Sequence, residues 1–179
     1  MTANPRIVIT GGPGSGKTTL IEALARRGFE TEPEAGRAVI RAQQAAGGNA
    51  LPWADRSAFA EAMLAHDLAA FERRSDEDEP VFFDRGIPDI IGYLDLCGLP
   101  VPERLGRLAT THRYNQTIFI TPFWPEIFTR DSERRQDPDE ARRTYETMAR
   151  VYPALGYDLV ELPKASVEAR IALILAKTP

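Results

Sequence analysis

Residues 6–20, RIVITGGPGSGKTTL, constrain this chain more than any other stretch. Ile7, Val8, Ile9 and Thr10 run straight into a turn made of Gly11, Gly12, Pro13, Gly14, Ser15 and Gly16. The turn opens into Lys17, Thr18, Thr19 and an apolar-periodic segment of Leu20, Ile21 and Leu24. That is strand, glycine-rich loop, helix. Gly11, Gly14 and Gly16 admit backbone conformations that a side chain forbids, so the loop can turn its N–H groups toward one anion. The helix adds its unpaired N–H groups and the positive end of its dipole. The spacing Gly11-x-x-x-x-Gly16-Lys17-Thr18 predicts a P-loop, with residues 11–19 around a nucleoside triphosphate. Lys17 would reach the β- and γ-phosphates as a point charge, and the Thr18 hydroxyl would hold Mg²⁺. ATP is the expected nucleotide, with GTP as the alternative.

Composition narrows the rest. At 179 residues the chain has the length of one domain, taken here as 1–179. A net charge of −4 argues against non-specific nucleic-acid binding, which wants a basic face. The single cysteine, Cys97, rules out an internal disulfide and suits a reducing cytoplasm. His66 and His112 lie far apart without cysteine company, which argues against zinc. No apolar run approaches the roughly eighteen residues of a membrane helix, and the N-terminus lacks the apolar core of a signal peptide. The expectation is a cytoplasmic protein with no membrane and no nucleic-acid partner. Nothing in the sequence speaks to oligomeric state.

Along the chain, helices are expected over 16–27, ending at Gly28, and over 34–46, ending at Gly47-Gly48. A long amphipathic helix is expected over 53–73, where Phe59, Met63, Leu64, Leu68 and Phe71 recur at helical spacing. Further helices are expected over 87–96, from 100–102 to about 112, from 137 to about 155, and over 167–176. The third of these has a strong start, with aspartate at the N-cap, proline at N1 and acid at N3. Strands are expected over 7–10, 29–32, 81–83, 117–121 and 159–162, and a charged turn over 76–79. This alternation predicts an α/β fold: a doubly wound parallel sheet of about five strands with helices on both faces. Such sheets bind ligands beyond the carboxyl ends of their strands, where the P-loop, Glu34 and Asp84-Arg85 all fall.

These positions supply the candidate chemistry. Asp84 closes an apolar strand, the place of the acidic residue that holds Mg²⁺ in P-loop proteins. It is followed by Arg85 rather than by a second acid, which weakens a motor or helicase reading. Glu34, in Pro33-Glu34-Ala35-Gly36-Arg37, can accept a proton from an attacking hydroxyl, and Asp84 is the alternative base. Arg130, Arg134 and Arg135 cluster in TRDSERRQ, placing a lid at about 129–137 that would meet the charge spread over γ-phosphate oxygens. Arg142, Arg143 and Arg150 are expected on the exposed face of the following helix. Trp53, Phe123 and Trp124 can stack on a base, with core packing the favoured expectation; Gln43 and Gln44 can read a base edge, with a solvated face favoured.

With these residues laid out, the chain resembles P-loop kinases of small molecules. It is similar to the compact bacterial ATPase or kinase-like family related to the ribosylnicotinamide kinase domain of NAD-metabolism regulators. GGPGSGKTTL, Pro33-Glu34-Ala35-Gly36-Arg37, FFDRGIPD, RDSERRQ and GYDLVELP carry that likeness over nearly the whole chain. It also resembles deoxynucleoside kinases. That resemblance implies Glu34 as the base, Asp84 as a magnesium ligand, Arg37 and Arg85 as substrate-side groups, and Arg130, Arg134 and Arg135 as lid arginines. The departure is Gly86, where those kinases usually have serine.

The leading expectation is a Mg²⁺-dependent kinase that moves the ATP γ-phosphate to a hydroxyl of a nucleoside-like or other small metabolite. The alternatives are a nucleotide-dependent switch or ATPase module and a nucleoside monophosphate kinase, in which Arg37 and Arg85 would hold the acceptor phosphate. No Asn-Lys-x-Asp motif supports guanine specificity.

Overall fold

The computed structural model describes residues 4–74, 79–127 and 137–178. Strands β1 (Arg6–Gly11), β2 (Glu30–Glu32), β3 (Val81–Asp84), β4 (Thr117–Thr121) and β5 (Asp158–Glu161) form one sheet in the order β2-β3-β1-β4-β5. Every pairing is parallel, with Ile9 opposite both Asp84 and Phe119 and Gly11 opposite Thr121. The helices are α1 (Lys17–Arg26), α2 (Ala35–Ala46), α3 (Arg56–Arg73), α4 (Ile87–Leu96), α5 (Glu103–Thr111), α6 (Pro138–Ala154) and α7 (Val167–Lys177).

Successive side chains of a strand point to opposite faces, and in this sheet both faces are buried. Ile7, Ile9, Phe82 and Phe119 pack on one side against Leu20, Ile21 and Leu24 of α1 and Ile171 and Ile174 of α7. Val8, Val81, Phe83, Ile118 and Ile120 pack on the other side against α2 to α6. The central strands β1, β3 and β4 therefore read as nearly continuous apolar runs rather than alternating ones. This is the doubly wound α/β sheet expected from the alternation of elements.

Local chemistry sets the element boundaries. Helix α3 starts at Arg56, three residues later than the periodicity of its apolar residues suggests. The Asp55 carboxylate caps it by accepting from the Ala58 N–H at 2.9 Å. Trp53 is left in the preceding turn, 60% exposed, and Phe123 and Trp124 are only half-buried, so the expectation that these aromatics form core is corrected. Gln43 turns back to accept from the Ala50 N–H, so it shapes the loop after α2. Asp137 caps α6 as expected, accepting from the Glu140 N–H at 2.8 Å. Arg142 and Arg150 lie exposed on α6, paired with Asp139 and Asp95 respectively. Of the expected charged turn over 76–79, residues 76–78 lie outside the described residues.

The end of β2 is tied to α3. Glu32 is buried and receives Arg73 Nη2 at 2.9 Å and Arg74 Nε at 2.7 Å. That anchor fixes where the next residues, Pro33 and Glu34, leave the sheet.

Candidate active site

The P-loop leaves β1 at its carboxyl end and turns back into α1, as the spacing predicts. Gly12 sits where any Cβ would overlap the Ala141 carbonyl oxygen, so the first turn of α6 packs directly on the loop. Ser15 Oγ donates to the Gly12 carbonyl at 2.6 Å and lies 2.6 Å from Thr121 Oγ1 at the end of β4. Lys17 is buried, and its Nζ donates to the same Gly12 carbonyl at 2.6 Å. Gly14 stands at the exposed crest beside the half-buried Pro13, and Thr18 and Thr19 are exposed on the first turn of α1.

Glu34, Arg37, Asp84 and Arg85 come together beside this loop. Glu34 is the residue before α2, not a member of its first turn, and accepts no cap hydrogen bond. Its carboxylate is shared by two guanidinium groups: Arg37 Nε lies 3.6 Å from Oε2 and Arg85 Nε 3.4 Å from Oε1. Arg85 also reaches Asp89, with Nη1 3.0 Å from Oδ1. Its backbone is unusual, since φ is 73° at a residue with a full side chain. Such a conformation is retained where surrounding bonds over-determine it and is characteristic of functional sites. Here the Arg85 N–H donates to the Ile9 carbonyl at 3.1 Å while the side chain is held at both acids. Burial pulls the Arg85 guanidinium down, but the neighbouring carboxylates Glu34, Asp89 and Asp84 together raise it above its ordinary value.

Asp84 is 7% exposed, and its buried Oδ1 has no hydrogen-bond partner among the described residues. Burial, with the charge of Glu34 second, pushes its carboxyl up to about 6, against the opposing pull of Lys17 and Arg85. An orphaned buried carboxylate oxygen is costly unless a cation meets it. Asp84 and the open hydroxyl of Thr18 together fit Mg²⁺, which takes one or two protein oxygens and completes its shell with phosphate and water. Among the described residues no cluster of three metal-ligating acids or histidines occurs, and His66 instead pairs with Asp67 at 4.0 Å.

Several residues of the site carry no signal that the motifs had isolated. Asp89 is buried and fully engaged: Oδ1 accepts from Thr10 Oγ1 at 2.6 Å and from Arg85, and Oδ2 accepts from the Gly86 N–H at 3.1 Å and Tyr152 Oη at 2.6 Å. Its position three residues after the α4 N-cap, behind Pro88, is the one clue available locally. Asp67 on α3 adds a further carboxyl, pushed up to about 6 chiefly by burial and within charge range of Asp89 and Glu34. Gly86, the departure from serine, is explained by Tyr114. A Cβ there would lie 2.9 Å from the phenol ring, whose hydroxyl accepts from the Ile87 N–H at 3.3 Å. The expected lid arginines Arg130, Arg134 and Arg135 lie outside the described residues.

Comparisons with known proteins bear on the family and the fold. A family model described as an AAA domain matches residues 6–170. No curated protein matches the chain. Among solved structures, a NadR protein in complex with NR superposes with a TM-score of 0.69 at 18% identity, over 98% of this chain and 51% of that one. The chain thus spans about half the length of that NadR protein. Thymidylate kinase from Ehrlichia chaffeensis gives 0.65 at 16% identity, covering 97% and 98% of the two chains. Deoxyadenosine kinase from M. mycoides with bound dATP gives 0.52 at 15% identity, covering 96% and 98%. At these identities the structural likenesses establish the fold. A P-loop, an all-parallel five-stranded sheet and a family match over most of the chain together place this protein: it belongs to the AAA domain family, as a P-loop NTPase of kinase-like fold.

Proposed function

We propose that this chain is an ATP- and Mg²⁺-dependent phosphotransferase whose acceptor is a hydroxyl of a nucleoside-like or other small metabolite carrying no phosphate. The observation that carries the reading is the state of the two arginines beside Glu34. Arg37 and Arg85 are both ion-paired to Glu34, and Arg85 also to Asp89. With Glu34, Asp67, Asp84 and Asp89 against these two cations, the described residues of the acceptor side offer no surplus positive charge for an incoming phosphate dianion. A monophosphate would have to displace carboxylates from both arginines. A neutral or cationic acceptor leaves the network intact.

In this reading Glu34 is the base, because the orphan oxygen of Asp84 suits a cation better than a proton. Arg37 and Arg85 fix its carboxylate in one orientation. The acceptor O–H gives its proton to Glu34 as its oxygen bonds to the γ-phosphorus, the bond from that phosphorus to the bridging β,γ-oxygen breaks, and ADP leaves. Lys17, with the arginines of 129–137, would balance the charge on the transferred group; much of the acceleration is positioning and electrostatics. Magnesium held by Thr18 and Asp84 would supply charge neutralisation at the phosphate oxygens.

The test is ADP release from Mg·ATP with a panel of nucleosides, nicotinamide riboside and nucleoside monophosphates, with Lys17→Ala as the blank. Stimulation by an unphosphorylated acceptor, absent from the blank, supports the reading. Stimulation confined to monophosphates replaces it with a nucleotide kinase.

A further inference from the structure

Arg170 lies on α7 and meets the P-loop at Ser15. It is 2% exposed, which is extreme for an arginine. Its Nη2 donates to the Ser15 carbonyl at 3.3 Å, and its Nη1 is 3.1 Å from the place a Cβ on Gly16 would take. The guanidinium carbon is 5.8 Å from the centre of the Trp124 ring. Among the described residues, the buried Nε has no hydrogen-bond partner and no carboxylate pairs with the side chain. Every other well-buried arginine of the site has an acid beside it. A buried cation without a counter-charge is costly, and a purely apolar tie between α7 and the loop would be as good without it.

The contact has a directional consequence. The Ser15–Gly16 peptide is planar and trans, so its C=O and N–H point opposite ways. A carbonyl held toward Arg170 on the α7 side leaves the Gly16 N–H directed away from α7, into the turn that Lys17 closes. Gly16 has φ +83°, a conformation that an L side chain resists and that this peptide orientation uses. The guanidinium also draws electron density through the peptide, which makes the N–H a stronger donor.

We propose that Arg170 is a positioning residue for polyphosphate. It holds the Ser15–Gly16 peptide so that the Gly16 N–H faces the bound phosphates, and it is a second fixed cation behind the loop, complementary to Lys17. The phosphate anion is the counter-charge that none of the described residues supplies. This needs a nucleotide or pyrophosphate in the P-loop but no phosphoryl acceptor, so it stands or falls separately from the kinase reading.

The experiment is calorimetric titration of the whole chain with magnesium pyrophosphate and Mg·ADP, for wild type, Arg170→Met and Arg170→Lys, together with the Gly16 amide signal in proton–nitrogen spectra. Arg170→Met is expected to bind both ligands about tenfold or more weakly, the size of a lost charge-assisted contact. Its ligand-free melting temperature should stay within about 2 °C of wild type, as for a change well under the stability of a domain. The downfield movement of the Gly16 amide proton on ADP addition should shrink, and Arg170→Lys should recover most of the affinity. Wild-type affinity for pyrophosphate in Arg170→Met, or an unchanged Gly16 response, overturns the proposal. So does a lowered ligand-free melting temperature with affinity intact, which is the signature of a structural tie alone. Should Arg170→Met fail to fold, Arg170→Gln, whose amide stops short of the Ser15 carbonyl, is judged by the same Gly16 response.

Discussion

Arg85 and Asp89 face each other across one turn of chain, with Nη1 3.0 Å from Oδ1, and this contact joins the base of the site to the core. Asp89 takes three other hydrogen bonds, from β1 through Thr10, from the backbone of Gly86 and from α6 through Tyr152. Arg85 carries the connection on to Glu34 at 3.4 Å. The orientation of the proposed base is thus tied through Arg85 and Asp89 to Thr10 and Tyr152.

Removing the charge of Asp89 leaves Arg85 buried with half its counter-charge. Asp89→Asn is expected to lower unfolding free energy by about 3 kcal/mol, as for a broken buried pair. Tyr152→Phe removes one hydrogen bond to a charged group and should cost about 1–2 kcal/mol. Urea denaturation of the two variants gives both values; a loss for Asp89→Asn no larger than for Tyr152→Phe would mean that Arg85 does not depend on this acid.

Glu34→Gln keeps the shape of the side chain and removes its basicity. Acceptor-dependent kcat should fall by about 10²–10⁴, with the KM for ATP little changed. Steady-state kinetics with the acceptor that the panel identifies would show it, and retention of more than about a tenth of kcat would remove Glu34 from the role of base.

Asp84 makes a prediction whose sign follows from its raised carboxyl. The folded value is about 6 against an ordinary 3.8, so the folded chain binds this proton more tightly than the unfolded chain does. Its contribution to stability is therefore greatest at low pH, declines as pH rises from about 4 to about 6, and is level above that. Asp84→Asn, measured without nucleotide or Mg²⁺, should gain on the order of 2 kcal/mol over wild type at pH 7.5 and little at pH 4, while losing Mg²⁺-dependent turnover. Equal stability differences at the two pH values would contradict it.

Gly86→Ser restores the residue usual in deoxynucleoside kinases, and here it meets Tyr114. With the new Cβ 2.9 Å from the ring, the variant should be destabilised by about 1–3 kcal/mol as an overpacked core site. Thermal melts of Gly86→Ser and of Gly86→Ser with Tyr114→Leu separate the clash from other effects, since the second change should remove most of the coupling.

The parts of this molecule that were legible from sequence share one property: their signal is local. The P-loop, the capped start of α6 and the apolar runs of β1, β3 and β4 each announce themselves within a few residues. Glu34, Asp84 and Arg85 could be placed because parallel strands deliver their carboxyl ends to one edge. The apolar spacing of α3 was clear, but its start was set by the Asp55 cap, which displaced Trp53 to the surface. Tyr152 and Arg170 were silent because their partners lie 63 and 155 residues away, and each looks like an ordinary residue of its helix. Arg37 and Arg85 were identified as residues of the site, yet their pairing with Glu34 depended on which side chains the fold brings within 4 Å.

The most direct measurement of the central claim follows the fate of the γ-phosphoryl group. Phosphorus NMR of Mg·ATP turnover with an unphosphorylated acceptor should show a phosphate-ester resonance growing in step with ADP, with little inorganic phosphate, and no such growth for Lys17→Ala. Inorganic phosphate released at one rate whatever acceptor is present, with no ester resonance, would contradict phosphotransfer and make the chain a nucleotide-hydrolysing switch.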